Sequence, residues 1–457
     1  MTKKAKIKIG VAAVLILGLG ILTAVRWNAW FGNPDEPTYT SEKKINRLTL
    51  TLGNNGEYSR AFSWVFGEEV SEGCLEISQV GTTDTTVIQA ESTICQSRSG
   101  KSAYFRAFVD FLTPGAAYKY RVRNGDEASQ WYQFSTLADS AKNDFSFLYF
   151  GDIQDSDSCT LTKQFMNEIR ERNKEAQFVL LGGDFIERPM DKYYNMAHEG
   201  LGSMAQELPI LAVPGNHEYL KGVVRKLDNR YPYAFPYFLK SSIKKNHVFS
   251  FPYGNARFYF LDSNRDFWNF FEQRSWLKAE LNKSDATWNI VVLHHPIYSL
   301  KGGLNNWFVK RFFRSVVEKS KVDIVLQAHE HGYGRRTAKD EIGRPCTPLY
   351  SVSYFSEKAY LQDFNGDYDR WGTANRYYQK ISINGDTLVF RTYTDQHELY
   401  DDVRLTKSGD CALASDNALD IPENVIVPEW FRTVKGEKKT QKYEQLIEDW
   451  KAKKNKQ

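Results

Sequence analysis

Five apolar runs in this chain each stop at side chains able to hold a metal ion, and few folds accommodate that layout. Residues 145–150 run into Gly151-Asp152, residues 178–181 into Gly182-Gly183-Asp184, and residues 208–213 into Pro214-Gly215-Asn216-His217-Glu218. Further on, 289–293 ends in His294-His295, and 322–326 ends in Gln327-Ala328-His329-Glu330-His331. Short, nearly continuous apolar runs read as strands of a sheet covered on both faces. Side chains at the carboxyl ends of such strands converge on one rim. Any one of these histidines is, alone, more often a satisfied core residue, and an isolated Asn-His-Glu is more often a solvated turn. Five coincidences of the same kind make that bland explanation weak.

A chain of 457 residues exceeds one ordinary core, so two or more domains are expected. An aromatic content of 14% supplies ample apolar area for them. A net charge of +4 is too mild for a nucleic-acid-binding surface over the whole chain, and no nucleic-acid partner is expected. The five cysteines, Cys74, Cys95, Cys159, Cys346 and Cys411, lack zinc-knuckle spacing. Cys74 with Cys95 and Cys346 with Cys411 are possible pairs in an oxidising compartment; five reduced, buried thiols are the alternative.

Residues 1–26 begin with Lys3, Lys4, Lys6 and Lys8, followed by an uncharged, largely apolar run over 9–25 and Arg26. That run is within the length range of a spanning helix. The lysines orient it with the remainder extracytoplasmic, at a periplasm or cell surface. A cleaved signal segment, giving a secreted protein, is the competing reading. Residues 27–43 read as a linker. Seven short strand-like runs over 44–139 predict an all-β sandwich with Trp64 in its core. From 143 to 410 strands alternate with helical patterns, at 160–175, 272–283 and 305–320, which predicts α/β layers. The tail, 411–457, is charged, and Tyr443, Leu446, Ile447 and Trp450 share one helical face. That stripe is expected to dock on the protein itself, with an anionic membrane surface as the minority reading.

Carboxylates, imidazoles and an amide oxygen suit Zn, Mn or Fe. A carboxylate can bridge two such ions about 3.5–4 Å apart, and the pair can acidify water and hold a phosphate oxygen. Here a resemblance enters. Gly151-Asp152, Gly183-Asp184, Gly215-Asn216-His217-Glu218, Val291-x-x-His294 and His329-x-His331 resemble the ordered motifs of the calcineurin-like metallophosphoesterases. The stretch from His329 to Arg335, and the turn and strand Leu112-Thr113-Pro114-Gly115 to Val122 of a fibronectin type III-like domain, resemble the purple acid phosphatase version.

The resemblance implies a fibronectin-like β sandwich followed by a two-sheet α/β sandwich flanked by helices. It implies that Asp184 bridges two metal ions, that Asp152 and His331 complete the shell of the first, and that Asn216, His294 and His329 hold the second. His217 would assist the leaving group, oriented by Glu218, while a metal-bound hydroxide attacks phosphorus. Arg335 is a possible phosphate contact, with a structural ion pair at least as plausible. Two positions depart from the family pattern: Gln154 replaces a common histidine, and Glu187 replaces the tyrosine whose ferric complex gives purple colour. Either could be a further metal ligand. Divalent Mn, Zn or Fe and a colourless protein are therefore expected, with Tyr193 and Tyr194 the nearest tyrosines in sequence. The expected reaction is phosphomonoester hydrolysis. Phosphodiester hydrolysis on the same metal core is the near rival, and a non-catalytic glycan- or partner-binding relative the distant one. The aromatic cluster Tyr231, Tyr233, Phe235, Tyr237 and Phe238 is expected to pack under a long loop.

Overall fold

The computed structural model describes residues 2–456 apart from 54–55, 238–240, 245–246, 265–266, 365–367, 410 and 455. The first domain is a sandwich of two sheets. One contains Asn46–Leu52, Arg60–Val65, Glu91–Gln96 and Lys101–Val109; the other contains Cys74–Gln79, Thr86–Gln89, Ala117–Asn124, Glu127–Ala128 and Tyr132–Ser135. Strand Ala117–Asn124 buries alternate residues, and Trp64 stacks on Phe105 with ring centroids 5.6 Å apart. The Trp64 indole N–H donates to Asn124 Oδ1 at 2.6 Å, so its polar atom is satisfied in the core. One of the seven strand-like runs of the sequence, spanning 85–93, breaks at Ala90, because the chain there leaves one sheet for the other. Cys74 and Cys95 consequently lie in different sheets, and all five cysteines are free thiols. Cys346 and Cys411 are neighbours on adjacent strands; burial, together with Cys411, pushes the Cys346 thiol up to about 12.

The second domain holds the five apolar runs as strands. Asp144–Phe150, Ala176–Leu181 and Ile210–Ala212 pair in parallel. Ala256–Leu261, Trp288–Leu293, Ile324–Gln327 and Pro345–Val352 form a second parallel set. Antiparallel strands Tyr377–Asn384, Thr387–Thr394 and Leu399–Ser408 extend the first set. Strand Cys411–Asp416 then links the two sets through the pairing of Cys346 with Leu413, making one continuous hydrogen-bonded path. The sheet thus runs past residue 410 into the stretch the sequence assigns to the tail.

Phe147, Phe178 and Phe258 pack together between the sheet layers, Phe147 and Phe178 stacking at 5.0 Å. Helices Thr160–Arg172, Phe267–Lys283 and Trp307–Lys319 cover the outer faces. The last buries Val309, Phe312, Phe313, Val316 and Val317, the spacing of one helical stripe. Helix Glu437–Lys454 buries Tyr443 and Ile447 and lays Trp450 5.4 Å from Phe364, so the tail docks on its own protein. Tyr231, Phe235 and Tyr237 are buried under their loop, as expected; Phe238 lies outside the described residues. Helix Lys3–Phe31 extends the apolar run and is exposed along its length, long and apolar enough over Lys8–Phe31 to cross a membrane.

Candidate metal centre

The parallel strands deliver their ends to one rim, and the backbone there is held in unusual conformations. Asp152, Asp184, His329 and His331 all have positive φ, at 42°, 51°, 73° and 43°. Each such non-glycine residue costs on the order of 1–3 kcal/mol, a cost that accumulates where side chains must be aimed. Gly183, at φ 94°, and Gly215 are required by close approach: a Cβ on Gly183 would strike the His294 ring, and one on Gly215 would strike Asp184.

Glu218 ties the loops together. It is fully buried and accepts backbone N–H groups from Gly215 at 2.5 Å, Asp184 at 3.0 Å and Ile186 at 3.1 Å. Burial, with Asp184 nearby, raises its carboxyl to about 7. It does not orient the His217 ring as expected, because its oxygens are taken by these amides; His217 Nδ1 instead donates to the Glu187 carbonyl. Glu218 therefore acts on loop geometry and not on the reacting atoms.

Around His294 the donor atoms crowd. Its Nδ1–H donates to the Gly182 carbonyl at 2.9 Å, which leaves Nε2 facing inward. From Nε2 the distances are 3.2 Å to Asn216 Oδ1, 3.4 Å to Asp184 Oδ2 and 3.2 Å to His329 Nδ1. A tetrahedral ion with bonds of about 2.0–2.1 Å needs its ligand atoms about 3.3–3.4 Å apart. The three separations are close to that value, so these atoms could share an ion.

Asp152 forms a second group with Asp184 and His294. Asp152 is fully buried, and neither of its carboxylate oxygens has a hydrogen-bond partner. Burial pushes its carboxyl well above the usual range, Asp184 adds to this, and His294 opposes it. Asp184 has a comparable burial penalty, but His294 and His217 overcome it and hold the carboxyl well below its ordinary value. Those same carboxylates outweigh burial at His294 and lift its imidazole to about 9. His331 donates Nδ1–H to the Lys358 carbonyl at 3.1 Å and turns Nε2 to within 3.4 Å of the Gln154 amide nitrogen. Gln154 Oε1 is buried without a partner. A buried carboxylate and amide oxygen with no donor beside them are what a hard or borderline cation requires. Asp152, Asp184 and His294 could hold an ion together, and so could His294, His295 and His329.

Two expected contacts are redirected. The Glu187 carboxylate is ion-paired with Lys358 and does not join the donor set. Arg335 is buried and pairs with Asp401 at 3.0 Å and Asp416 at 2.6 Å, so its guanidinium has no site left for phosphate. Tyr194 is buried between Arg47 and Arg230, and Tyr193 packs on the main core. Residues the sequence left unread take places here. The Tyr360 ring lies 4.3 Å from His331, and the Lys301 ammonium lies 4.2 Å over Tyr360. His295 donates its backbone N–H to Ser263 Oγ, and its Nδ1 sits 2.9 Å from the same hydroxyl. No local pattern marks Tyr360 or Lys358, which lie on an irregular loop distant in sequence; Lys301 follows the fourth strand end closely and could have been flagged by that alone.

This fold, with two donor groups that share His294 at the strand ends, suits a metal-dependent hydrolase. Residues 145–333 match the calcineurin-like phosphoesterase family, and residues 45–136 match the purple acid phosphatase N-terminal domain. The chain is a dinuclear metal-dependent phosphoric ester hydrolase similar to the purple acid phosphatases. It is 23% identical over 335 residues to probable purple acid phosphatase 20 of Arabidopsis thaliana, covering 70% of this chain and 74% of that one. It is 24% identical over 346 residues to the Fe(3+)-Zn(2+) purple acid phosphatase 12 of the same plant, covering 67% and 69%. The fold superimposes on a purple acid phosphatase from yellow lupin seeds with a TM-score of 0.64 at 16% identity, covering 80% of this chain and 75% of that one.

Proposed function

We propose that the protein hydrolyses phosphomonoesters, with Asp152, Gln154, His331 and Asp184 holding one ion and Asp184, Asn216, His294 and His329 the other. The observation that carries the choice of a monoester is Lys301. Its ammonium makes no ion pair among the described residues; burial pulls it below its ordinary value, and Glu330, then Asp152 and Asp184, oppose that. A monoester dianion carries one more negative charge than a diester, and a lysine whose charge reaches the centre's carboxylates favours it. Two divalent ions, when bound, supply the positive charge that polarises the phosphate and acidifies a water. His217 supplies the proton. Its Nδ1–H is committed to the Glu187 carbonyl, so Nε2, 3.8 Å from Asp184 Oδ2, is the ring position that can serve a leaving oxygen. Glu187 and Lys358 brace that histidine and His331 through the backbone carbonyls of both residues. Helix Lys8–Phe31 would anchor the enzyme with this site outside the cytoplasm.

The test is to load the full chain with Mn, Zn or Fe and compare nitrophenyl phosphate with bis(nitrophenyl) phosphate. A higher kcat/KM for the monoester, lost in Lys301→Ala with a raised KM, supports the reading. A preference for the diester that survives in Lys301→Ala contradicts it.

A further inference from the structure

The rim that carries the metal centre also carries several exposed aromatic and aliphatic side chains, and the apolar helix is fastened to it. The hairpin Tyr219–Leu220 with Lys226–Leu227 begins directly after His217-Glu218, and at its tip Val223 and Val224 are each 75% exposed. Helix Phe267–Lys283 follows strand Ala256–Leu261 and presents Trp268, 77% exposed. The loop after His294 presents Leu304, 83% exposed, and leads into Trp307 and Phe308 at the start of Trp307–Lys319. Both helices cross back between parallel strands, so their first turns lie at the strands' carboxyl ends, beside the metal centre. Three separate segments around one site thus expose large apolar groups.

The anchor supplies the second observation. Asn33, just beyond helix Lys3–Phe31, donates to the Lys221 carbonyl at 2.9 Å and accepts the Lys221 N–H at 2.8 Å. Lys221 Nζ also reaches the Ala29 carbonyl at 3.4 Å. The hairpin beside His217 is therefore held at the end of the apolar helix, where Trp27 and Trp30 are exposed. Tryptophans at the end of a spanning helix mark the membrane–water interface. Exposed Arg225, Lys226 and Arg311 add the positive charge that an anionic lipid surface attracts.

We infer that the mouth of the site faces the membrane that anchors the chain, that the apolar rim dips into its interface, and that the substrate is a phosphomonoester on a membrane-embedded lipid. This rests on the phosphomonoesterase reading for its chemistry and on the rim and anchor for its location. The rim would enter the headgroup and acyl boundary, leaving the metal centre level with lipid phosphates.

The experiment reconstitutes the metal-loaded full chain in phosphatidylcholine–phosphatidylglycerol vesicles containing dioleoyl phosphatidic acid, with nitrophenyl phosphate as the soluble comparison. The variant is Val223→Asp with Val224→Asp and Leu304→Asp. Phosphate release from the embedded lipid should fall by about tenfold or more, with nitrophenyl phosphate hydrolysis unchanged. Brominated lipids should quench the fluorescence contributed by Trp268 and Trp307, read as the difference from Trp268→Phe/Trp307→Phe. Hydrolysis of nitrophenyl phosphate but not of the lipid, an undiminished lipid rate in the variant, or an unquenched tryptophan difference overturns the inference. Self-association through the rim, seen as a concentration-dependent dimer with unquenched tryptophans, also overturns it. If neither substrate is cleaved, the phosphomonoesterase reading fails and the substrate assignment falls with it, while quenching still decides whether the rim meets the membrane.

Discussion

At His217 the Nδ1–H is committed to a carbonyl, because a carbonyl can only accept, and Nε2 is left for the reaction. Its backbone N–H is bonded to Asp184 Oδ1 at 2.9 Å, so the ring is positioned from two sides. His217→Ala should leave metal content intact and cut turnover of an alkyl phosphate by about 10²–10⁴-fold. The loss should be smaller for nitrophenyl phosphate, whose leaving group needs less protonation. Equal losses across leaving groups, measured by steady-state kinetics, would remove His217 from the acid role. Arg335 makes the opposite case. Its guanidinium pairs with the fully buried Asp401, and deleting it leaves that carboxylate, among the described residues, only the Tyr333 hydroxyl and Arg370 at 3.8 Å. Arg335→Ala should cost about 3–5 kcal/mol in a urea titration and leave KM unchanged in whatever folds. A raised KM with undiminished stability would return Arg335 to the substrate.

At the scale of elements, the strands were legible because apolar continuity and abrupt polar ends are local signals. Asp152, Asp184, Asn216, His294, His329 and His331 stand at those ends, and the structure brings them to one rim. The partners of Glu218 and Glu187 were not legible, and for Arg335 the sequence left the structural ion pair open beside a phosphate contact, for one physical reason: each meets its partners through loop geometry. Glu218 meets backbone amides of two loops, Glu187 meets Lys358 across 171 residues, and Arg335 meets Asp401 across 66. Neither propensity nor spacing encodes such contacts. The break at Ala90 was missed because the strand pattern continues across it; only the tertiary switch of sheets separates Thr86–Gln89 from Glu91–Gln96.

On the scale of the whole molecule, the domains and linker meet at a buried ionic network. Asp191 pairs with Arg47 at 2.7 Å and with Arg230 at 2.7 Å, and Arg230 reaches Glu36 at 2.6 Å. Close to it, His198 donates Nδ1–H to the Tyr194 carbonyl, and its Nε2 is buried without a partner. Burial, reinforced by the charge of Arg47, pushes His198 down to about 3. Its folded pKa lies below the unfolded value of about 6.5, so the unfolded chain takes up the proton first as pH falls. The stability is whole above about pH 6.5 and is lost towards pH 3, at up to about 1.4 kcal/mol per pH unit. Between pH 7 and 5 the wild-type protein should lose about 2 kcal/mol more than His198→Gln in urea titrations, and parallel losses would contradict this. The central claim is that one rim holds two ions through a shared carboxylate. Elemental mass spectrometry of the purified full chain tests it most directly. The account predicts two metal ions per chain, about one in Asn216→Ala and almost none in Asp184→Asn, with the variants still folded. A single ion in the wild-type chain, or occupancy unchanged in Asp184→Asn, would contradict it.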